Sequence, residues 1–280
     1  MPATHLCAPL KQQGANLAHN SAYLQVAREA AFAAGRAIRE GVRRPIDVRS
    51  KGPRDLLTDV DLAAECAILD VIRSRYPDHD VLTEESPPRE RASPYCWVID
   101  PLDGTGNFAH RYPCFCTSIA LALDDEPIVG VVYDPIREHL FAATLGGGAT
   151  LNGEPLRVSE PLYVSGTERL IEAFIGMDWT RDAASRERNA RIIAQLMPHC
   201  SVLRICGSAA LGICYVGAGW WDAYWHLGPQ PWDTAAGTLI VREAGGQVTG
   251  LAGEPWRLGA GPYLASNGRL HRQICALMGE

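Results

Sequence analysis

The chain contains four acidic groupings whose residue types and spacing could do chemistry. The densest is Asp100-Pro101-Leu102-Asp103-Gly104-Thr105-Gly106-Asn107-Phe108. Pro101 fixes φ and Gly104 permits a sharp turn, so the carboxylates of Asp100 and Asp103 can point into one space. Like charges that close are unfavourable without a cation between them. A hard divalent ion resolves the conflict, since Mg²⁺ takes carboxylate oxygens and keeps several waters. The Leu102 carbonyl could add a neutral ligand. Taken alone, the same residues also describe an ordinary Asx-type turn.

The other groupings carry the same ambiguity singly. Glu84-Glu85 follows the strand-like Val81-Leu82 and could be a solvated acidic loop. Asp61 stands three residues after Thr58, with capping-box-like spacing. Asp233 opens an Ala- and Gly-rich helical segment, Trp232-Asp233-Thr234-Ala235-Ala236-Gly237. It is either an acid favoured by the helix dipole or a carboxylate placed where metal and substrate can approach closely. Gly207-Ser208-Ala209 precedes an apolar helix, where amides can receive an anion or a hydroxyl, or where Ser208 is simply the cap.

The elements that must position these residues follow from periodicity. Residues 21–40 read as an amphipathic helix with Leu24, Ala27, Ala31, Ala34 and Ile38 in one stripe. Residues 42–57 read as extended or loop. A second helix begins at Thr58, places Leu62, Cys66, Leu69 and Ile72 on one face, and ends at Pro77. Tyr95–Ile99 is a buried strand delivering Asp100 at its end. Runs at 117–123, 128–133 and 139–144, with turns at 146–148 and 152–153, predict an antiparallel sheet. Beyond about residue 155, strands alternate with helices near 184–197, 207–218 and 233–244, the grammar of an α/β half. The expected organisation is a flexible tail over 1–18 and a single domain over 19–280.

Composition narrows the partners. A net charge of −6 argues against sequence-independent nucleic-acid binding, which needs a basic face. It does not exclude an anionic small substrate, because a bound metal reverses the local field. Nothing resembles a signal peptide or a run of roughly 18 apolar residues that would span a membrane. The nine cysteines are irregularly spaced and read mostly as buried reduced thiols, which suits a cytoplasmic location. Trp220, Trp221, Tyr224 and Trp225 read as packing for a strand and an interface.

Together, Asp55–Asp61, Thr83-Glu84-Glu85-Ser86, Trp97–Phe108, Trp232–Gly237 and Glu243–Gly246 resemble the inositol monophosphatase family, over roughly residues 20–270. The resemblance implies a layered αβαβα sandwich, a homodimer and a Mg²⁺-dependent, often Li⁺-inhibited, phosphomonoesterase holding two or three ions per site. It implies metal ligation by Glu84, Asp100, the Leu102 carbonyl, Asp103 and Asp233, with Glu85 a less direct neighbour. Asp61 and Thr105 would orient and help deprotonate the attacking water, so Asp61, Thr105 and Glu84 are the expected catalytic residues. Substrate contacts would come from Asp103, Gly104, Thr105, Gly207, Ser208, Ala209, residue 226 and Asp233. The substrate would be inositol 1-phosphate or a similar polyol phosphate. Histidinol phosphate, a sugar bisphosphate and a 3′-phosphorylated nucleotide are the alternatives within the same chemistry.

One residue departs from the pattern. Members acting on inositol phosphates commonly carry Glu seven residues before the last metal-binding Asp, and here that position is His226. A neutral His offers one donor and one acceptor where Glu offers acceptors alone. The departure bears on the substrate and leaves the hydrolytic chemistry intact.

Overall fold

The computed structural model describes residues 10–87, 90–152, 160–161 and 163–279. A long helix α1 (Leu10–Val42) leads into a hairpin, β1 (Val48–Gly52) and β2 (Asp55–Thr58), and then α2 (Asp59–Arg75). Next come β3 (Asp80–Thr83), β4 (Tyr95–Asp103), a short α3 (Thr105–Ala109), β5 (Cys116–Leu123), β6 (Glu126–Asp134), β7 (His139–Thr144), β8 (Gly148–Leu151) and β9 (Glu160–Pro161). The remainder is β10 (Phe174–Met177), α4 (Ala183–Leu196), β11 (Val202–Ile205), α5 (Ala209–Gly217), β12 (Ala223–His226), α6 (Pro231–Glu243), β13 (Gln247–Gly250), β14 (Tyr263–Ser266) and α7 (His271–Met278).

Among the described residues, β3 to β9 form one seven-stranded sheet in sequential order, antiparallel except for the β3–β4 pair. A five-stranded sheet has the order β11-β10-β12-β14-β13, with β10 parallel to both its neighbours.

Period-2 alternation along the strands builds the layers. Trp97 and Ile99 of β4 pack with Ile38 of α1 and Ile68 of α2. Val98, between them, packs on the opposite face with Leu211 of α5 and Leu239 of α6. Tyr224 of β12 meets Ile213 of α5 and Val241 of α6. Its neighbour Trp225 faces away, toward Ile192 of α4 and Ile274 of α7. Helix pair, sheet, helix pair, sheet, helix pair is the αβαβα order, and each fully buried Ile or Leu adds about 1.5–3 kcal/mol to it. Helix α6 lies so close to β6 that a Cβ on Gly130 would stand 2.7 Å from the Ala236 carbonyl oxygen. The missing side chain at Gly130 of β6 is what lets α6, with Asp233 in its first turn, lie this close.

Several expectations are corrected. Helix α1 starts at Leu10, inside the segment expected as a flexible tail. Each residue added to an existing helix gains a hydrogen bond, and no proline interrupts 10–18. Residues 1–9, Gly153 and the boundary near 155 lie outside the described residues. The buried face of α2 is Val60, Ala64, Ile68, Leu69 and Ile72, whereas Leu62 and Cys66 are exposed. Both stripes have helical spacing, and packing on α1 selects the first, since a Cβ on Gly41 would touch Val60 at 2.5 Å. The segment expected as extended or loop over 42–57 is so: after α1 ends at Val42, the β1–β2 hairpin occupies 48–58. Trp225 and Tyr224 are wholly buried strand residues, but Trp220 is exposed. No helix among the described residues is long and apolar enough to cross a membrane.

Candidate active site

In a regular strand Asp100 and Asp103 would face opposite sides of the sheet. The register of β4 against β5 shows why they do not: Asp100 pairs with Ser118 but Asp103 with Cys116, so an extra residue bulges from β4. Pro101, which cannot donate to a ladder, sits in that bulge. Both carboxylates consequently line one cavity of about 650 Å³. Gly104 then turns the chain at φ +91°, where a Cβ would stand 2.9 Å from the Cys114 carbonyl oxygen. That left-handed turn starts α3 and presents Thr105.

Asp103 is gripped by the start of α5. Ser208 Oγ donates to its Oδ2 at 2.5 Å, Ala210 N–H to Oδ2 at 2.9 Å and Ala209 N–H to Oδ1 at 3.2 Å. Ser208 also caps α5 by accepting from Leu211 N–H. The cap role and the site role are thus one arrangement. Asn107 clamps the same segment, its amide donating to the carbonyls of Cys114 (2.6 Å), Cys206 (3.0 Å) and Gly207 (3.1 Å).

Asp61 lies behind Thr105 and is almost wholly buried. Its Oδ2 accepts from Thr58 N–H at 2.9 Å in a complete capping box, and from the Thr58 hydroxyl. Thr105 Oγ1 lies 3.0 Å from both Asp61 Oδ1 and the Leu102 carbonyl oxygen. Burial raises the Asp61 pKa, against the hydrogen bonds from Thr58 and Thr105.

Glu84 follows the end of β3 and faces cations. Lys51 Nζ from the β1–β2 hairpin is 3.0 Å from its Oε1, and Arg181 Nη2 is 3.5 Å from the same oxygen. Arg181 also pairs with Asp55 at 2.9 Å. Glu85 accepts from Lys51 at 2.9 Å, and burial pushes its pKa up to about 7. Asp233 stands in the first turn of α6, where its Oδ2 accepts from Gln230 N–H at 2.8 Å. Burial, then the nearby Asp103, pushes Asp233 up to about 8. Asp100 is raised well above the ordinary range by burial and by Glu84, Asp103 and Asp233.

These values describe carboxylates that lack a sufficient counter-charge. Among the described residues, no three Asp, Glu, His or Cys side chains already form a closed metal site. Glu84 is turned to Lys51 and Arg181, and Asp103 to α5. The donor set nevertheless fits a hard cation: buried carboxylate oxygens beside a main-chain carbonyl, mutually destabilised in its absence.

Every expected metal and substrate residue lines this cavity: Glu84, Asp100, Leu102, Asp103, Gly104, Thr105, Gly207, Ser208, Ala209, His226 and Asp233. Asp61 reaches it through Thr105. Sequence reasoning missed Lys51, Arg181 and Asp178. Asp178 follows β10, is 6% exposed, and lines the cavity. Its Oδ1 accepts from Gly207 N–H at 2.6 Å and its Oδ2 from Tyr224 O–H at 2.8 Å. No spacing signal marks Asp178; its place depends on β10 pairing with β12.

A profile of the inositol monophosphatase family matches residues 19–280. The chain is 41% identical over 255 residues to an inositol-1-monophosphatase of Synechocystis sp., covering 90% of this chain and 87% of the relative. It is 42% identical over 258 residues to Nus factor SuhB of Escherichia coli strain K12, covering 91% and 95%. The crystal structure of extragenic suppressor protein suhB from Bartonella henselae matches with a TM-score of 0.87 and 32% identity, covering 92% of this chain and 99% of that one.

Proposed function

The chain belongs to the inositol monophosphatase family of phosphoric monoester hydrolases, and on that premise we propose that it hydrolyses a small polyol phosphate, with inositol 1-phosphate the first candidate. One observation carries the reading. Glu84 after β3, Asp100 and Asp103 on β4, and Asp233 on α6 come from three separate segments to one cavity, with the Thr105–Asp61 hydrogen bond at its edge.

Glu84, Asp100, the Leu102 carbonyl, Asp103 and Asp233 would hold two or three Mg²⁺ ions. When bound, such ions lower the pKa of water and neutralise phosphoryl oxygens. The chain's own residues do the positioning on which phosphoryl transfer depends. The Thr105 hydroxyl donates to Asp61, which leaves an oxygen lone pair to accept the proton of an attacking water. Asp61 is the sink for that proton, since burial already favours its neutral form. Thr105 is an orienter, and the reaction needs no covalent phosphoenzyme. Ser208 and the α5 amides hold Asp103 at a fixed place on the cavity wall. Asp61, Thr105 and Glu84 are the residues proposed as catalytic. The family resemblance supports a homodimer, and reduced thiols support a cytoplasmic setting.

The test is phosphate release, with and without Mg²⁺, from inositol 1-phosphate, histidinol phosphate, fructose 1,6-bisphosphate and adenosine 3′,5′-bisphosphate. Mg²⁺-dependent turnover led by inositol 1-phosphate is expected. Faster turnover of another member would move the substrate reading to it, and turnover unaffected by chelation would remove the metal assignment.

The relatives named Nus factor SuhB raise a second reading, an RNA-related role. It stands against the expectation, from a net charge of −6, that the chain has no nucleic-acid partner. Gel-shift titration with RNA separates the two, and on the charge argument no shift is expected at physiological salt.

A further inference from the structure

Asp178 is a buried carboxylate on the cavity wall that the proposed hydrolysis does not use. Met177 pairs with Trp225 in the parallel β10–β12 ladder, so Asp178 and His226 stand side by side at the same end of the two strands. Both line the same cavity as the Asp100–Thr105 turn. Gly228 N–H donates to His226 Nδ1 at 3.2 Å, which makes Nδ1 the lone-pair nitrogen and leaves the hydrogen on Nε2. Burial, then Arg181, pushes the His226 pKa down to about 4, so the ring is neutral near pH 7. A carboxylate offers about four acceptor positions. Gly207 N–H and Tyr224 O–H fill two on Asp178, and the Cys206 amide lies near.

We infer that Asp178 is a specificity-determining residue, whose carboxylate accepts a hydrogen bond from a substrate hydroxyl while the His226 Nε2–H donates to a neighbouring one. The inference rests on the phosphatase reading above and deepens it. An acceptor beside a donor matches adjacent hydroxyls of a polyol, each of which can give or take a hydrogen bond. The wall thus keeps an acidic acceptor although residue 226 is His, because the carboxylate comes from the next strand.

The bonds to Gly207 and Tyr224 give a competing account, in which Asp178 only props the Gly207–Ser208 turn. Substrate choice separates the two. The assay compares kcat/KM for inositol 1-phosphate and for phenyl phosphate, which has no hydroxyl on its ring, in wild type, Asp178→Asn, Asp178→Ala and Tyr224→Phe. Asp178→Ala is expected to lower kcat/KM for inositol 1-phosphate by about 10- to 100-fold, the scale of one hydrogen bond to a charged group, chiefly through KM. Phenyl phosphate should change by less than about threefold. Asp178→Asn, which retains an acceptor oxygen, should recover part of the loss. Tyr224→Phe should leave the ratio between substrates unchanged.

An equal fall on both substrates, or no change on either, overturns the inference and assigns Asp178 to propping the turn or to no role. Because Asp178→Asn is isosteric, a selective loss in that variant alone still supports the inference if the Ala variant does not fold. A wild type that hydrolyses phenyl phosphate but not inositol 1-phosphate overturns the polyol reading and this inference with it. A wild type that hydrolyses neither overturns the phosphatase reading itself.

Discussion

Asp103→Asn exchanges one oxygen for an amide nitrogen at the most heavily bonded carboxylate of the cavity. Four donors hold Asp103: Ser208 Oγ, the amides of Ala209 and Ala210, and the Cys116 thiol. Bonds to a charged acceptor contribute about 1 kcal/mol more than neutral ones, and a charge at a helix N-terminus adds about 0.3–1 kcal/mol. Against that loss, burial raises the Asp103 pKa, so its charge is unfavourable without a cation. The two effects oppose, and the metal-free variant should lie within about 2 kcal/mol of wild type. Metal separates them. Mg²⁺ at 100 times its Kd stabilises by about 2.7 kcal/mol. With an unfolding entropy of about 2.1 cal/mol/K per residue over 280 residues, that is a rise of about 5 °C in Tm. Calorimetric scans with Mg²⁺ and with chelator should show the rise in wild type and its absence in the variant. Turnover should fall by at least about 100-fold, as for removal of one electrostatic stabiliser. A variant that kept both the Mg²⁺-induced rise and wild-type turnover would refute the metal role of Asp103.

Three further outcomes follow from the same geometry. In chelator, burial holds Glu85 and Asp178 near 7 and Asp233 near 8, so the folded state keeps protons that the unfolded chain has released. Their contribution is greatest at low pH and is lost as pH rises through 7–8; the buried histidines, half protonated in the unfolded chain at about pH 6.5, oppose this only in part and are neutral in both states above about pH 7.5. Tm should therefore fall between pH 6.5 and 8.5 without metal, and a rising Tm would contradict the assignment. Gly130→Ala would press a methyl on the backbone of Ala236 and should cost about 1–3 kcal/mol, read as a lower urea midpoint; an unchanged midpoint would mean that α6 shifts freely. His226→Glu should raise the preference for inositol 1-phosphate over fructose 1,6-bisphosphate by about tenfold, and an unchanged ranking would assign the ring to packing.

Much of the cavity was legible because its chemistry is contiguous in sequence. Asp100, Asp103 and Thr105 share one segment, and Pro101 and Gly104 announce the bulge and turn that gather them. Four residues were hidden for different reasons. Lys51 and Arg181 look like ordinary surface cations until the β1–β2 hairpin and the segment after β10 meet over Glu84. Asp178 acquires meaning only from the pairing of β10 with β12. Gly130 reads as a weak point in a strand until α6 lies against it. The face of α2 shows the same limit: Leu62 and Cys66 fit a helical stripe as well as Val60 and Ala64 do, and tertiary contact alone decides between them. The early start of α1 was missed because cooperativity carries a packed helix into polar sequence.

The cavity draws its walls from two sheets. The seven-stranded sheet and its turns bring Glu84, Asp100, Asp103 and Thr105, whereas the ends of β10 and β12 in the other sheet bring Asp178 and His226. Residue 226 can therefore drift without disturbing the bulge that gathers the acids, whereas Asp178 also bonds the Gly207 amide beside Ser208. A descendant of this gene could change its diet while inheriting the same cutting edge. The reverse path is closed to small steps, because Asp100, Asp103 and Thr105 hang on a single bulge and must change together.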